Sequence, residues 1–75
     1  MLIEYLQKEF SARRKRNPRY SLRAFAKSLQ LDSSTLSKLL RKKRPLTLNL
    51  ARALLRGLEL DEAKKKEIFY STFLH

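Results

Sequence analysis

The chain has 75 residues, 43% of them hydrophobic and 33% charged, enough for one compact core and too few for a second. Lysine and arginine number 18 against 7 acids, a net charge of +11, and such an imbalance calls for a polyanionic partner, nucleic acid or an anionic membrane. Absence of cysteine excludes disulfides, thiolate metal sites and cysteine nucleophiles and suits a reducing cytosol; no apolar run reaches the ~20 residues that span a bilayer, and no secretory signal opens the chain.

Residues 2–15 predict a first amphipathic helix, with Leu2, Ile3, Leu6 and Phe10 at three- and four-residue spacing. Asn17-Pro18 should end it, since Pro18 disfavours helical geometry at the residue before it. Ser21 caps a second helix reaching about residue 30, with Leu22, Phe25, Ala26 and Leu29 on one face. After a link at Leu31, Asp32 or Ser33 caps a third helix whose Leu36, Leu39 and Leu40 point inward. Its outer side then carries Ser33, Ser34, Ser37, Lys38 and Arg41. Residues 42–45 form a basic turn, and Thr47 caps a fourth helix bearing Leu50, Ala51, Leu54, Leu55 and Leu58. Gly57 weakens that helix by about 1 kcal/mol relative to alanine. Asp61 and Glu62 open a fifth helix at its positive dipole end, with Ala63, Ile68, Phe69, Thr72 and Phe73 as its apolar stripe. The expected fold is all-α, five short helices in one domain over residues 1–75, with Leu22, Phe25, Leu36, Leu39, Leu50 and Leu54 as core.

Residues 22–41 place two short helices on either side of a link too brief for an antiparallel pair, so the helices should cross steeply. Ala26 is small where the third helix approaches, and Leu29, Leu31, Leu36 and Leu39 supply the apolar contacts. This arrangement, spanning about residues 21–41, is that of a helix-turn-helix. The carrying stretches are Ser21-Leu22-Arg23-Ala24-Phe25-Ala26, residues 33–40, residues 43–48 and Ala51-Arg52-Ala53-Leu54. On these the chain resembles the lambda-repressor-like, or xenobiotic-response-element type, DNA-binding domain. Residues 5–27 resemble more narrowly the N-terminus of a group of bacterial transcription regulators in which such a domain precedes a longer C-terminal part. The resemblance implies a five-helix DNA-binding domain, here a fragment or short relative of such a regulator, cytoplasmic and nucleoid-associated.

It further implies a recognition helix at about residues 33–41 lying in the major groove of double-stranded DNA, with Ser33, Ser34, Ser37 and Lys38 reaching bases and Arg41 near the groove edge. The chemistry agrees: serine hydroxyls discriminate weakly, whereas Lys38 and Arg41 suit the guanine O6 and N7 acceptors. Ser21 and Arg23, at the start of the second helix, would meet a phosphate through free N–H groups and the helix dipole. Lys42, Lys43 and Arg44 would grip the flanking backbone, and Arg13, Arg14, Lys15, Arg16 and Arg19 would extend the positive rim. Between Phe10 and Pro45 only Asp32 is acidic; it reads mainly as a helix cap, with contact to a cytosine amino group as a second role. The resembling family commonly has glycine at the positions of Gln30 and Glu59. Both should adopt a left-handed backbone at about 1 kcal/mol each, or the local turns differ.

No catalytic set, cofactor motif or metal cluster is visible, and the expectation is a protein that is not an enzyme. His75 lacks a neighbouring carboxylate or cysteine. Lys64-Lys65-Lys66 reads as a solvated face, and Tyr5, Tyr20 and Tyr70 as partly buried rings with their hydroxyls at the surface. The apolar residues Phe69, Phe73 and Leu74 should pack on the first helix, join a second copy in a homodimer or seat a C-terminal effector domain. The alternatives to DNA binding are a basic protein-interaction or anionic-membrane-surface module using that stripe, and an RNA-binding adaptor.

Overall fold

The computed structural model describes residues 1–74; the reading of His75 lies outside the described residues. Five helices follow in order: α1 (Leu2–Arg16), α2 (Leu22–Ser28), α3 (Ser33–Leu40), α4 (Leu48–Gly57) and α5 (Glu62–Phe73). No strand occurs among the described residues. The Cα radius of gyration is 11.9 Å, close to the roughly 11 Å of a compact chain of this length. No helix among the described residues is long and apolar enough to cross a membrane.

The starts of α2 to α5 each have a local cause. The hydroxyl of Ser21 accepts from the Ala24 N–H at 3.0 Å, the Asp32 carboxylate from Thr35 at 3.1 Å, Thr47 from Leu50 at 3.2 Å and Asp61 from Lys64 at 2.7 Å, each satisfying an orphan donor of a first turn. Asn17, extended with φ −142°, ends α1 before Pro18. α2 is shorter than expected: it stops at Ser28, with Leu29 as its cap, because the chain must already turn there to deliver α3.

α2 packs on α3, α3 on α1 and α1 on α5. The core joins Leu2 and Leu6 of α1, Phe25 and Ala26 of α2 with its cap Leu29, Leu36 and Leu39 of α3, Ile68 of α5 and the α4 stripe of Ala51, Leu54 and Leu55 with its cap Leu58. Leu22 and Leu50 were expected in this core but only half bury, packing against it from outside, and Ala63 faces solvent. Phe25 and Ala26 of α2, Ala51, Leu54 and Leu55 of α4 and Ile68 of α5 take the inner positions, so flanking apolar residues lie at the edge of each stripe or outside it. Tyr70, expected to be partly buried, is 51% exposed, since it lies on the side of α5 away from Ile68. Of the terminal apolar residues, Phe69 and Phe73 lie against the core, and the Leu2 N–H donates to Thr72 Oγ1 at 3.0 Å, tying α5 to α1, whereas Leu74 does not pack and is 64% exposed.

Candidate nucleic-acid interface

α2 and α3 are joined by residues 29–32 alone. α2 closes with two backbone bonds, Gln30 N–H to Lys27 O at 3.1 Å and Leu31 N–H to Ala26 O at 2.9 Å. Gln30 between them has φ 59°, the left-handed cap geometry that reverses a chain in the fewest residues. Ala26, 1% exposed, leaves room for that return. α3 ends the same way: Lys42, φ 58°, donates to Leu39 O at 3.0 Å and Lys43 to Lys38 O at 2.8 Å. Of the two alternatives at Gln30 and Glu59, a left-handed backbone or a different turn, the first holds, with φ 54° at Glu59; no such geometry is expected from the sequence at Lys42. A basic turn without glycine carries no local mark of it.

Leu36 and Leu39 are fully buried, so α3 turns its opposite side outward. Ser34, Lys38 and Arg41 are exposed there, and Ser33 and Ser37 are half-buried beside them. Arg41 is the cap residue and not the last helical one; its Nε donates to Ser37 O at 3.3 Å, and its terminal amino groups have no partner among the described residues. Both Asp32 oxygens are occupied by Thr35, Oδ1 receiving its hydroxyl at 2.7 Å and Oδ2 its N–H. Those two bonds hold the carboxyl below its ordinary value of 3.8. Asp32 is thus a helix cap.

The expected phosphate contacts divide into free and engaged groups. Arg14, Arg16, Arg19, Arg23, Lys43 and Arg44 are exposed and in no ion pair among the described residues; Arg14 lies over the Phe10 ring at 5.6 Å. Ser21 is occupied as a cap, and the seven residues of α2 make a shorter dipole behind it than the predicted helix would. Lys42 is bound, Nζ to Glu4 Oε2 at 2.9 Å. The Met1 ammonium and then Lys42 hold the Glu4 carboxyl at about 2 rather than 4.5. Arg13 leaves the rim altogether: it donates to Glu9 at 2.9 Å, Tyr20 Oη at 3.0 Å and Ser28 Oγ at 3.3 Å, with its guanidinium carbon 5.0 Å from the Phe25 ring centre. It is a strut that ties α1 to the start and end of α2.

Two residues that position this surface were missed. Gln7 Nε2 donates to Leu40 O, 33 residues away, at 2.7 Å, and Glu4 anchors the turn after α3 through Lys42. Contacts so distant in the chain leave no trace in local spacing. No group of three or more metal-ligating side chains occurs among the described residues.

These elements and contacts define an all-α five-helix domain with exposed cations on α3 and in the turn after it, where the acids Asp32 and Glu4 are both engaged. No protein-family model, curated protein or solved structure matches the chain.

Proposed function

We propose that this domain binds double-stranded DNA sequence-specifically as a lambda-repressor-like helix-turn-helix, α2 bracing α3 in the major groove, within a bacterial transcription regulator. The carrying observation is the two-sidedness of α3: Leu36 and Leu39 hold it in the core, while Ser34, Lys38 and Arg41 project together into solvent. A helix of eight residues with small hydroxyls at one end and long cations at the other fits the groove without steric barrier and offers donors to guanine O6 and N7. Two further observations support the reading. The link is stiffened by two cap bonds, so α3 docks as a rigid element, and exposed cations on α1, α2 and the turn after α3 flank it for phosphate contact.

The test starts from a duplex selected out of a random library by the whole chain. Lys38→Ala and Arg41→Ala should each weaken that duplex about tenfold or more while changing binding to unrelated duplex far less. Lys43→Ala should weaken both alike and lower the salt slope by about one. Equal losses on both duplexes for Lys38→Ala and Arg41→Ala would remove base reading from α3, and failure to enrich any sequence would leave only non-specific binding.

A further inference from the structure

A second surface lies between α4 and α5 and draws on no residue of α1, α2 or α3. It is an open groove of about 460 Å³. Phe69 and the half-exposed Tyr70 form its apolar floor above the buried Leu55, and the exposed cations Arg52, Arg56 and Lys66 line its rim, with Glu62 and Lys65 completing it at one end. The neighbouring Lys65 is within 3.6 Å of Glu62, but the three rim cations meet no carboxylate among the described residues. Arg52 and Arg56 stand four residues apart on one helix, a spacing at which like charges repel. No ion pair among the described residues relieves that repulsion.

We propose that this groove is a docking site for an acidic amphipathic helix of a partner protein. An apolar floor with a cationic rim is the complement of a helix carrying leucines at three- and four-residue spacing and carboxylates beside them. The leucines would cover Phe69 and Tyr70, and the carboxylates would reach Arg52, Arg56 and Lys66. A second copy is a poor occupant, because it brings a like-charged rim and a net charge of +11 against this one. A phosphate backbone satisfies the cations but leaves the floor uncovered. The groove is separate from the α3 surface, so this inference stands independently of the DNA reading.

The experiment is an NMR titration of the labelled whole chain with a synthetic helix of about 16 residues, leucine at positions i, i+3, i+4 and i+7 and Asp or Glu elsewhere. The control peptide keeps the acids and replaces each leucine by serine. Expected are saturable shifts centred on Leu55, Phe69 and Tyr70, with the serine peptide about tenfold weaker or worse. The double variant Arg52→Glu/Arg56→Glu should raise Kd at least about tenfold, whereas Lys8→Glu/Lys27→Glu, with the same change in net charge outside the groove, should stay within about threefold. Circular dichroism of both variants confirms that they are folded. Equal binding of the two peptides, or equal loss in the two double variants, overturns the proposal in favour of general charge attraction. Preferential binding through Tyr70 to phosphatidylglycerol vesicles overturns it in favour of a lipid surface, and concentration-dependent self-association abolished by Tyr70→Ser overturns it in favour of a second copy.

Discussion

A Cβ added at Gly57 would stand 2.9 Å from Leu29 Cα and 3.2 Å from Leu29 O. The end of α4 therefore rests on the backbone at the end of α2, and the residue that weakens α4 as an isolated helix is what lets it approach. Gly57→Ala gains about 1 kcal/mol of helix propensity against an overpacking cost of about 1–3 kcal/mol where the obstacle is main chain. The clash should win, with a net loss of about 1 kcal/mol and a Tm lowered by about 5 °C; a raised Tm in a thermal melt would mean that the two helices can move apart freely. Arg13 is the second residue whose place only the structure shows. Arg13→Ala removes three hydrogen bonds and two cation–π contacts, to Tyr20 and Phe25, and should cost about 2 kcal/mol in denaturant unfolding. Arg13→Lys should recover less than half, because an ammonium cannot reproduce the planar fork that reaches Glu9, Tyr20 and Ser28 together. A phosphate ligand, by contrast, would show its loss in DNA affinity with little change in stability.

α2, α3 and α4 are each followed, one residue past the cap, by a left-handed position, at Gln30, Lys42 and Glu59. None is glycine, so each stores about 1 kcal/mol of backbone strain. Gln30 is exposed, which makes it a clean test. Gln30→Gly keeps both cap bonds, and relief of strain should outweigh glycine's greater unfolded-state entropy by a few tenths of a kcal/mol. Gln30→Val, β-branched at positive φ, should destabilise by about 1–2 kcal/mol. Thermal melts of the pair would separate in opposite directions from the parent; melts that coincide would mean that the turn after α2 relaxes to another geometry. At this scale much was legible in the sequence. Ser21, Asp32, Thr47 and Asp61 mark helix starts by their own chemistry, and leucine periodicity marks the buried faces. The ends were less legible: α2 stops two residues early because a tertiary return, and not propensity, ends it.

Over the whole molecule the charge is strongly asymmetric. From Arg14 to Arg56, Lys42 is the one cation in an ion pair among the described residues. That pair and the Asp32 cap make the fold sensitive to acid. Glu4 and Asp32 both have carboxyls depressed by folding, so the unfolded chain takes up their protons first. The Glu4 contribution is present above pH ~4.5 and lost as pH falls towards about 2, and that of Asp32 is lost below its ordinary 3.8, while the added positive charge increases self-repulsion. Glu4 is 47% exposed, so its share is small and screened by salt. Melts at low ionic strength should show Tm falling from pH 5 to pH 2, with Glu4→Gln lowering Tm at pH 7 and flattening part of the slope. An unchanged slope would remove Glu4 from the acid response.

What the sequence determined by itself was the helical class, the number and order of helices, most of the buried leucines and the polar outer side of α3. Caps, periodicity and net charge act within a turn or two of chain, or over the whole of it, and both scales are written in residue order. Tertiary structure alone decided that Gly57 is a contact point, that Arg13 is a strut and not part of the rim, that Glu4 and Gln7 hold the end of α3, and that Arg52, Arg56 and Lys66 meet around one groove. Each of these depends on groups brought together by helix packing from distant or separately folded segments, and local spacing does not record which faces the packing will join.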